Sequence, residues 1–204
     1  MQLYNNIFRI TAFIIFLFIS GIVLNGCSGC VVKRELMSAK RYPNWIMFGG
    51  DETRTHLSAK DFKPPLKLLW RESVGSAIGR TLLAADGILY FGTKDGRIFS
   101  RDIHTGEGIC SEKTTYSATC CYANHHLFVA RRYGNETLYD LNLTTGEYDW
   151  KIDAGDIASE PLITKNSIIV AALYKHADLY TLKSGVKIWS FETDDQIRSS
   201  PARA

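Results

Sequence analysis

The chain has 204 residues, of which 46% are hydrophobic and 12% aromatic, and its formal net charge at pH 7 is +3. This length and composition fit one ordinary globular domain, and the ten Tyr and ten Phe favour β-structure. A charge this close to zero, with no tract of Lys and Arg, excludes nucleic acid as the expected partner.

The first residues are typical of an export signal. Arg9 precedes the 15 apolar residues of the run 10–24, which is shorter than the roughly 20 that a bilayer-spanning helix needs. Leu24-Asn25-Gly26-Cys27 follows and resembles the bacterial lipoprotein signal, in which a cysteine becomes the lipidated first residue. The resemblance implies a signal peptide over 1–26, a lipid on Cys27 and a protein anchored to a membrane outside the cytoplasm. An ordinary signal peptide and an uncleaved anchor are the alternatives.

Residues 27–44 are polar and basic, and we expect them to form a tether between the membrane and a domain that covers 45–204. Cys27-Ser28-Gly29-Cys30 has the form of a redox motif, but it follows a leader rather than a strand–helix turn, which disfavours that interpretation. Pro64 and Pro65 predict an extended approach to the domain, because neither can donate to a β-ladder.

A repeat near 40 residues organises the domain. Trp70, Trp150 and Trp189 open similar segments, and Cys110 occupies the fourth such position, at intervals of 40, 40 and 39 residues. Self-similarity at this period indicates small sheets that stack on their neighbours. At Cys110 the simplest interpretation is a small buried apolar side chain that replaces the Trp.

Turn signals predict short strands in the first two repeats. Asp86-Gly87 and Lys94-Asp95-Gly96 bound strands over 88–93 and 97–102, and Asp-Gly between alternating strands is a strong hairpin signal. The second repeat carries two additional residues, which the sequence places in a loop over 131–135.

In the third repeat the same pattern predicts four strands and a turn at Lys165-Asn166. The strands are expected at 160–164, 167–173, 177–182 and 186–192. No helical period persists after residue 40. The sequence therefore predicts an all-β fold, a β-propeller of four-stranded antiparallel blades, preceded by a signal helix.

The segment Asp140-x-Asn142-x-x-Thr145-Gly146-x-x-x-Trp150 resembles the docking motif A-x-D-x-x-T-G-x-x-x-W of the pyrroloquinoline-quinone-type (PQQ-like) propeller repeat. In such a motif the Trp ring slides between adjacent blades, its N–H bonds a carbonyl, and the Gly accepts the turn that aims it. Copies with departures run from Ser100 to Cys110 and from Leu179 to Trp189. The expected blade-docking residues are Trp70, Asp102, Thr105, Gly106, Thr145, Gly146, Trp150, Ser184, Gly185 and Trp189.

The resemblance covers about residues 45–202, including Trp45 to Asp51, a stretch that opens many such domains. Propellers of this kind close with about seven or eight blades, whereas this chain has three blades and partial ones. The ring is therefore not expected to close within the chain. Truncation is the favoured explanation, and completion by another chain is the alternative.

The resemblance also implies a catalytic alternative, a fragment of a quinoprotein dehydrogenase that uses PQQ and calcium. Some of those enzymes carry a disulfide between adjacent cysteines, and Cys120 and Cys121 are weak candidates that could face the central channel. The calcium ligands and the general base cannot be placed on this sequence. The five histidines are scattered, with His125 and His126 in a predicted turn, and no spacing offers the convergent ligands of zinc. No catalytic residue, metal or cofactor is expected.

The favoured interpretation is a non-catalytic cell-envelope lipoprotein whose propeller binds proteins, similar to the propeller lipoprotein of the outer-membrane assembly machinery. The sensor or binding domain of a larger extracellular protein is a further alternative. Arg131, Arg132 and Tyr133, in the longest loop, are candidate anchors for a protein partner, and a plain solvated hairpin is the competing interpretation.

Overall fold

The computed structural model describes residues 44–58, 61 and 63–204. The expected signal helix and lipidation site, and all of the tether except residue 44, lie outside these residues. Within the described part the chain forms three four-stranded antiparallel sheets, each built from four consecutive strands. This confirms the predicted all-β fold with propeller blades. No helix in this part is long and apolar enough to cross a membrane.

The strands follow one another in chain order within each blade. Blade 1 comprises β1 (Ile78–Ala85), β2 (Ile88–Thr93), β3 (Arg97–Asp102) and β4 (Gly108–Lys113). Blade 2 comprises β5 (Ala118–Ala123), β6 (His126–Arg131), β7 (Leu138–Asn142) and β8 (Tyr148–Ile152). Blade 3 comprises β9 (Leu162–Ile163), β10 (Ser167–Ala172), β11 (His176–Thr181) and β12 (Lys187–Glu192).

The predicted Asp-Gly hairpin joins β1 to β2. Asp86 and Gly87 have φ of 51° and 80°, the left-handed values that such a two-residue turn requires. Asn124 and His125, at 51° and 65°, make the corresponding turn between β5 and β6. His126 is therefore the first residue of β6, and its expected place in the turn was wrong.

Strand β9 is shorter than the sequence predicts, with two residues instead of the five at 160–164. Pro161 has no N–H to give to a ladder. The carbonyl oxygens of Glu160 and Pro161 accept hydrogen bonds from the Arg54 guanidinium, at 3.0 and 3.3 Å, instead of pairing within the sheet.

A bulge recurs at the same place in all three blades. The register between the third and fourth strand shifts after Ser100, Asp140 and Leu179. The fourth strand therefore carries one additional residue in each blade, and these residues are Ile109, Asp149 and Ile188.

Two hydrophobic clusters hold the blades together. Leu83, Tyr90 and Val129 belong to a cluster between blades 1 and 2. Phe128 and Ile168 belong to a second one between blades 2 and 3. The Leu83, Val129 and Ile168 side chains are fully buried, and each such burial contributes about 1.5–3 kcal/mol to folding.

Residues 45–56, here called the crossing segment, pass over all three blades. The backbone N–H of Trp45 donates to the Ala84 carbonyl at 2.7 Å, and Tyr122 N–H donates to the Ile46 carbonyl at 2.8 Å. Met47 is 1% exposed in the cluster between blades 2 and 3. The segment that the sequence indicates as the opening of the domain is thus part of its core.

Candidate functional site

Trp70 and Trp150 each dock on the glycine turn of the blade that follows them. Trp70 Nε1 donates to the Ile103 carbonyl at 2.9 Å, and Trp150 Nε1 donates to the Leu182 carbonyl at 2.8 Å. A Cβ added at Gly106 would meet the Trp70 ring at 2.6 Å. These tryptophans therefore fix the order and spacing of blades.

The polar residues of the motif shape those turns. Asp102 Oδ1 accepts the backbone N–H of Thr105 at 2.8 Å, a bond that lowers the pKa of Asp102. Thr145 Oγ1 accepts the Glu147 N–H at 3.2 Å. In blade 3 the hydroxyl oxygens of Thr181 and Ser184 lie 2.8 Å apart. Each of these side chains bonds within its own turn, so their role is to hold the turn in shape.

Cys110 does not behave as the small apolar side chain expected from the sequence. It is half-buried, its Sγ lies 2.9 Å from Ser100 Oγ, and it is disulfide-bonded. Cys110 packs against the edge of the cluster between blades 1 and 2, and Tyr148 adds a contact there, since its hydroxyl donates to Glu112 at 2.6 Å.

Cys120 and Cys121 are free thiols, both fully buried. Cys120 lies in the cluster between blades 1 and 2, and Cys121 lies in the one between blades 2 and 3. Successive side chains of a strand point to opposite faces, so the two thiols are separated by their own strand. Burial raises the pKa of Cys120 to about 12. The suggested disulfide facing the channel is therefore not what the structure contains.

A small polar cavity of about 90 Å³ lies where the first strands of the three blades begin. Arg80, Lys94, Arg132 and Glu160 line it, so that it is bordered by three cations and one carboxylate. We call it the axial cavity. Only Arg132 among these residues was a candidate from the sequence. What the four share is their position at the end of a blade where its first strand begins and its second strand ends.

The Glu160 side chain is held from two directions, and its backbone carbonyl accepts from Arg54. Glu160 Oε2 accepts the Ser200 hydroxyl at 2.5 Å, and Oε1 lies 3.4 Å from Thr81 Oγ1 of blade 1. The Arg54 guanidinium donates to the Phe48 carbonyl at 2.6 Å as well as to the Glu160 carbonyl. Burial lowers the pKa of Arg54, and the charge of Glu160 counteracts that effect. These bonds tie the crossing segment to blade 3.

The loop between β6 and β7 exposes only part of its predicted anchor. The Arg131 guanidinium donates to the Glu136 carbonyl at 2.9 Å and lies 5.8 Å from the Tyr139 ring centre, which makes it part of the blade. Arg132 lies 5.4 Å from the ring centre of Tyr133, and Tyr133 is 41% exposed.

The outer face of blade 3 is an exposed apolar surface of the kind that a neighbouring blade covers elsewhere in the arc. All six residues of β12 are exposed. Trp189 is 42% exposed and Phe191 63%, whereas the equivalent Trp150 is 9% exposed. We call Lys187–Glu192 the β12 face.

No protein-family model matches the sequence, and no curated protein matches it. Among solved structures, the quinohemoprotein alcohol dehydrogenase of Comamonas testosteroni is similar with a TM-score of 0.60 and 20% identity, over 79% of this chain and 29% of that one. The computationally designed protein Ika4 is similar with a TM-score of 0.59 and 17% identity, over 67% of this chain and 86% of its own. BamB from Moraxella catarrhalis reaches a TM-score of 0.45 with 15% identity, over 58% of this chain and 37% of its own.

At these identities the likeness shows the fold alone. The chain spans 29% of the length of the quinohemoprotein. Together with the docked tryptophans, the likeness shows a PQQ-like β-propeller fold in which three blades form an open arc.

Proposed function

We propose that this chain is the propeller of a non-catalytic cell-envelope lipoprotein and that it acts as a protein-binding scaffold. The observation that carries the proposal is the β12 face, where Ile188, Trp189 and Phe191 are 51%, 42% and 63% exposed. Contiguous exposed apolar surface of this kind marks interaction sites in soluble proteins.

The rest of the molecule indicates what covers such a face. Trp70 and Trp150 are each covered by a glycine turn that offers a backbone carbonyl to the indole N–H. The turns at Gly106 and Gly185 are already used in this way within the chain. The occupant we propose for the β12 face is therefore a further four-stranded blade with an unused Thr-Gly or Ser-Gly turn.

Two features support a position outside the cytoplasm. Disulfides persist in oxidising compartments such as the periplasm, and Cys110 is disulfide-bonded. The leader at residues 1–26, followed by Cys27, provides the export signal and the lipid anchor.

The residues around the axial cavity do not fit the quinone and calcium of the catalytic alternative. The cavity holds about 90 Å³, whereas small-molecule sites usually hold about 300–1,000 Å³. Calcium takes about six to eight oxygen ligands, and Glu160 is the one carboxylate among the described lining residues. These properties favour a scaffold over a dehydrogenase.

Photo-crosslinking in the source cells tests the proposed occupant. A crosslinking amino acid at position 189 is expected to capture a peptide that contains a Thr-Gly or Ser-Gly turn of a propeller repeat. The matched control is position 116, since Tyr116 is 44% exposed but lies in the connection between β4 and β5. Capture at position 189 of peptides without such a turn, or the same peptides at both positions, would contradict the proposal.

Fatty-acid labelling tests the anchor. Radioactive palmitate is expected to label the wild-type protein and the control variant Cys30→Ser, and to leave Cys27→Ser unlabelled. Equal labelling of Cys27→Ser, or none of the wild type, would exclude a lipid at Cys27.

Spectroscopy tests the catalytic alternative. We expect no quinone absorbance in the protein after incubation with micromolar PQQ and calcium, and no dye-linked oxidation of alcohols. Stoichiometric binding of the quinone would reverse the assignment.

A further inference from the structure

A cluster of potential metal ligands lies on blade 2, away from the axial cavity and the β12 face. His126 Nδ1 is 2.8 Å from Asp140 Oδ1 and 3.6 Å from Asp149 Oδ2. One ligand atom from each of the three residues lies within 4.8 Å of the others. Around a tetrahedral zinc with bonds of about 2.0–2.1 Å, neighbouring ligand atoms are about 3.3 Å apart. Small adjustments of these side chains would therefore accommodate the ion.

The recurring bulge is what brings the third ligand into place. Asp140 is paired with Trp150, and Leu141 with Tyr148, so that Asp149 is the additional residue of the bulge. A bulge bends its strand and re-aims the side chain that it carries. His126 comes from β6, two strands away from Asp149, and its ring stacks on Phe128 with centres 6.2 Å apart. The spacing of these residues in the sequence did not predict this convergence.

The other two blades show that the propeller fold does not require these residues. The strand registers define equivalent positions in blades 1 and 3. Those positions hold Ile88, Ser100 and Ile109 in blade 1, and Ser167, Leu179 and Ile188 in blade 3. The three ligating side chains occur together only in blade 2 among the described blades, and there they replace mainly apolar residues.

Two carboxylates this close in a partly buried place favour a cation. Asp140 is 2% exposed. A bound divalent ion would neutralise both carboxylates and use the imidazole as its nitrogen ligand.

The cluster opens into a groove between blades 2 and 3. The groove encloses about 480 Å³, and His126, Phe128 and Asp140 form one wall. Lys165, Thr181 and Lys183 of blade 3 lie on the other side. A metal held by three protein ligands keeps its fourth position open, and here that position faces the groove.

We propose that His126, Asp140 and Asp149 bind one divalent transition-metal ion of the zinc type, with the fourth position open to the groove. Mixed nitrogen and oxygen ligands suit zinc and its neighbours, whereas calcium and magnesium prefer oxygen alone.

Calorimetric titration of the metal-free mature protein with Zn²⁺ tests the proposal. The wild type is expected to bind one ion at this site, and Asp149→Asn and His126→Gln to bind it about tenfold more weakly or not at all. Asp149 is exposed, so its substitution leaves the fold intact. The matched control is Glu147→Gln, which removes a negative charge two residues away and should leave the affinity unchanged.

Titration with Co²⁺ separates this site from the cysteines. The proposed site predicts visible ligand-field absorbance without sulfur-to-metal charge transfer, and loss of that absorbance in His126→Gln. Wild-type affinity in both ligand variants, a charge-transfer band that persists in them, or no binding of either metal at millimolar concentration would overturn the proposal.

Discussion

The indole ring of Trp150 lies against Gly185 so closely that a Cβ at this glycine would come within 2.7 Å of the ring. Gly185 also has a φ of 63°, which side chains disfavour. Its small size and its backbone conformation are therefore both needed where blade 2 docks on blade 3.

Gly185→Ala should destabilise the protein by about 2–5 kcal/mol, because the left-handed backbone costs about 1–2 kcal/mol and the overpacked ring about 1–3 kcal/mol. Gly75→Ala is the matched control. Gly75 has a φ of 74° but no atom within 4 Å of an added Cβ, so that only the backbone cost applies. Urea unfolding of both variants measures the difference. Equal losses of unfolding free energy would show that the Trp150 ring moves aside for the methyl group.

Substitution of the two outer tryptophans should have very different effects. Trp150→Ala removes a 9% exposed ring and its bond to Leu182, and should cost about 3–5 kcal/mol. Trp189→Ala, at 42% exposure, should cost less than about 1 kcal/mol in the isolated protein. Equal losses would mean that the β12 face is already covered.

Asp178 should make stability depend on pH in the acid range. Its side chain is fully buried and faces Lys187 Nζ at 2.8 Å and His176 Nδ1 at 3.3 Å. Burial raises the pKa of Asp178, but hydrogen bonds from Lys187, Ser190 and Tyr180 lower it overall. A carboxylate whose pKa is lower in the folded protein stabilises the fold at every pH above its unfolded pKa of about 3.9. This contribution is lost as the pH falls through the lower pKa of the folded state.

Asp178→Asn should therefore be less stable than the wild type by about 2–3 kcal/mol at pH 7, with a difference that shrinks between about pH 5 and pH 2. Urea unfolding across this range measures it. A difference that grows on acidification would show that the pKa of Asp178 is raised in the folded protein rather than lowered.

The cysteines should differ sharply in reactivity. Cys120 and Cys121 are buried and burial raises the pKa of each thiol, so iodoacetamide should not label them in the folded protein. Unfolding without reductant should expose both to alkylation, whereas Cys110 should require a reductant. Peptide mapping distinguishes the three sites. A Cys120-Cys121 peptide that also needs reductant would indicate the adjacent disulfide.

Local signals account for most of the fold that the sequence predicts. Asp86-Gly87 specifies its turn through backbone conformation, and alternating apolar residues specify which face of a strand is buried. The 40-residue spacing of Trp70 and Trp150 reflects a contact that every blade must repeat. Each of these features is decided by a few neighbouring residues.

Long-range features could not be predicted in this way. Arg54 is an ordinary charged residue in the sequence, and only the folded structure shows that its guanidinium donates hydrogen bonds to backbone carbonyls of blade 3. Asp149 is separated from His126 by the strand β7, and the bulge that redirects it leaves no mark in the spacing. The usable signal was Asp140, a carboxylate where the docking motif has alanine.

The bond between the Arg54 guanidinium and the Pro201 carbonyl joins residues 147 positions apart. The crossing segment is therefore synthesised before all three blades but finds this partner only once residue 201 is available. Contacts of such long sequence separation make folding slow. The crossing segment should thus complete its contacts later than the hairpins within each blade form, and the amides around Met47 should gain protection from hydrogen exchange in that late step.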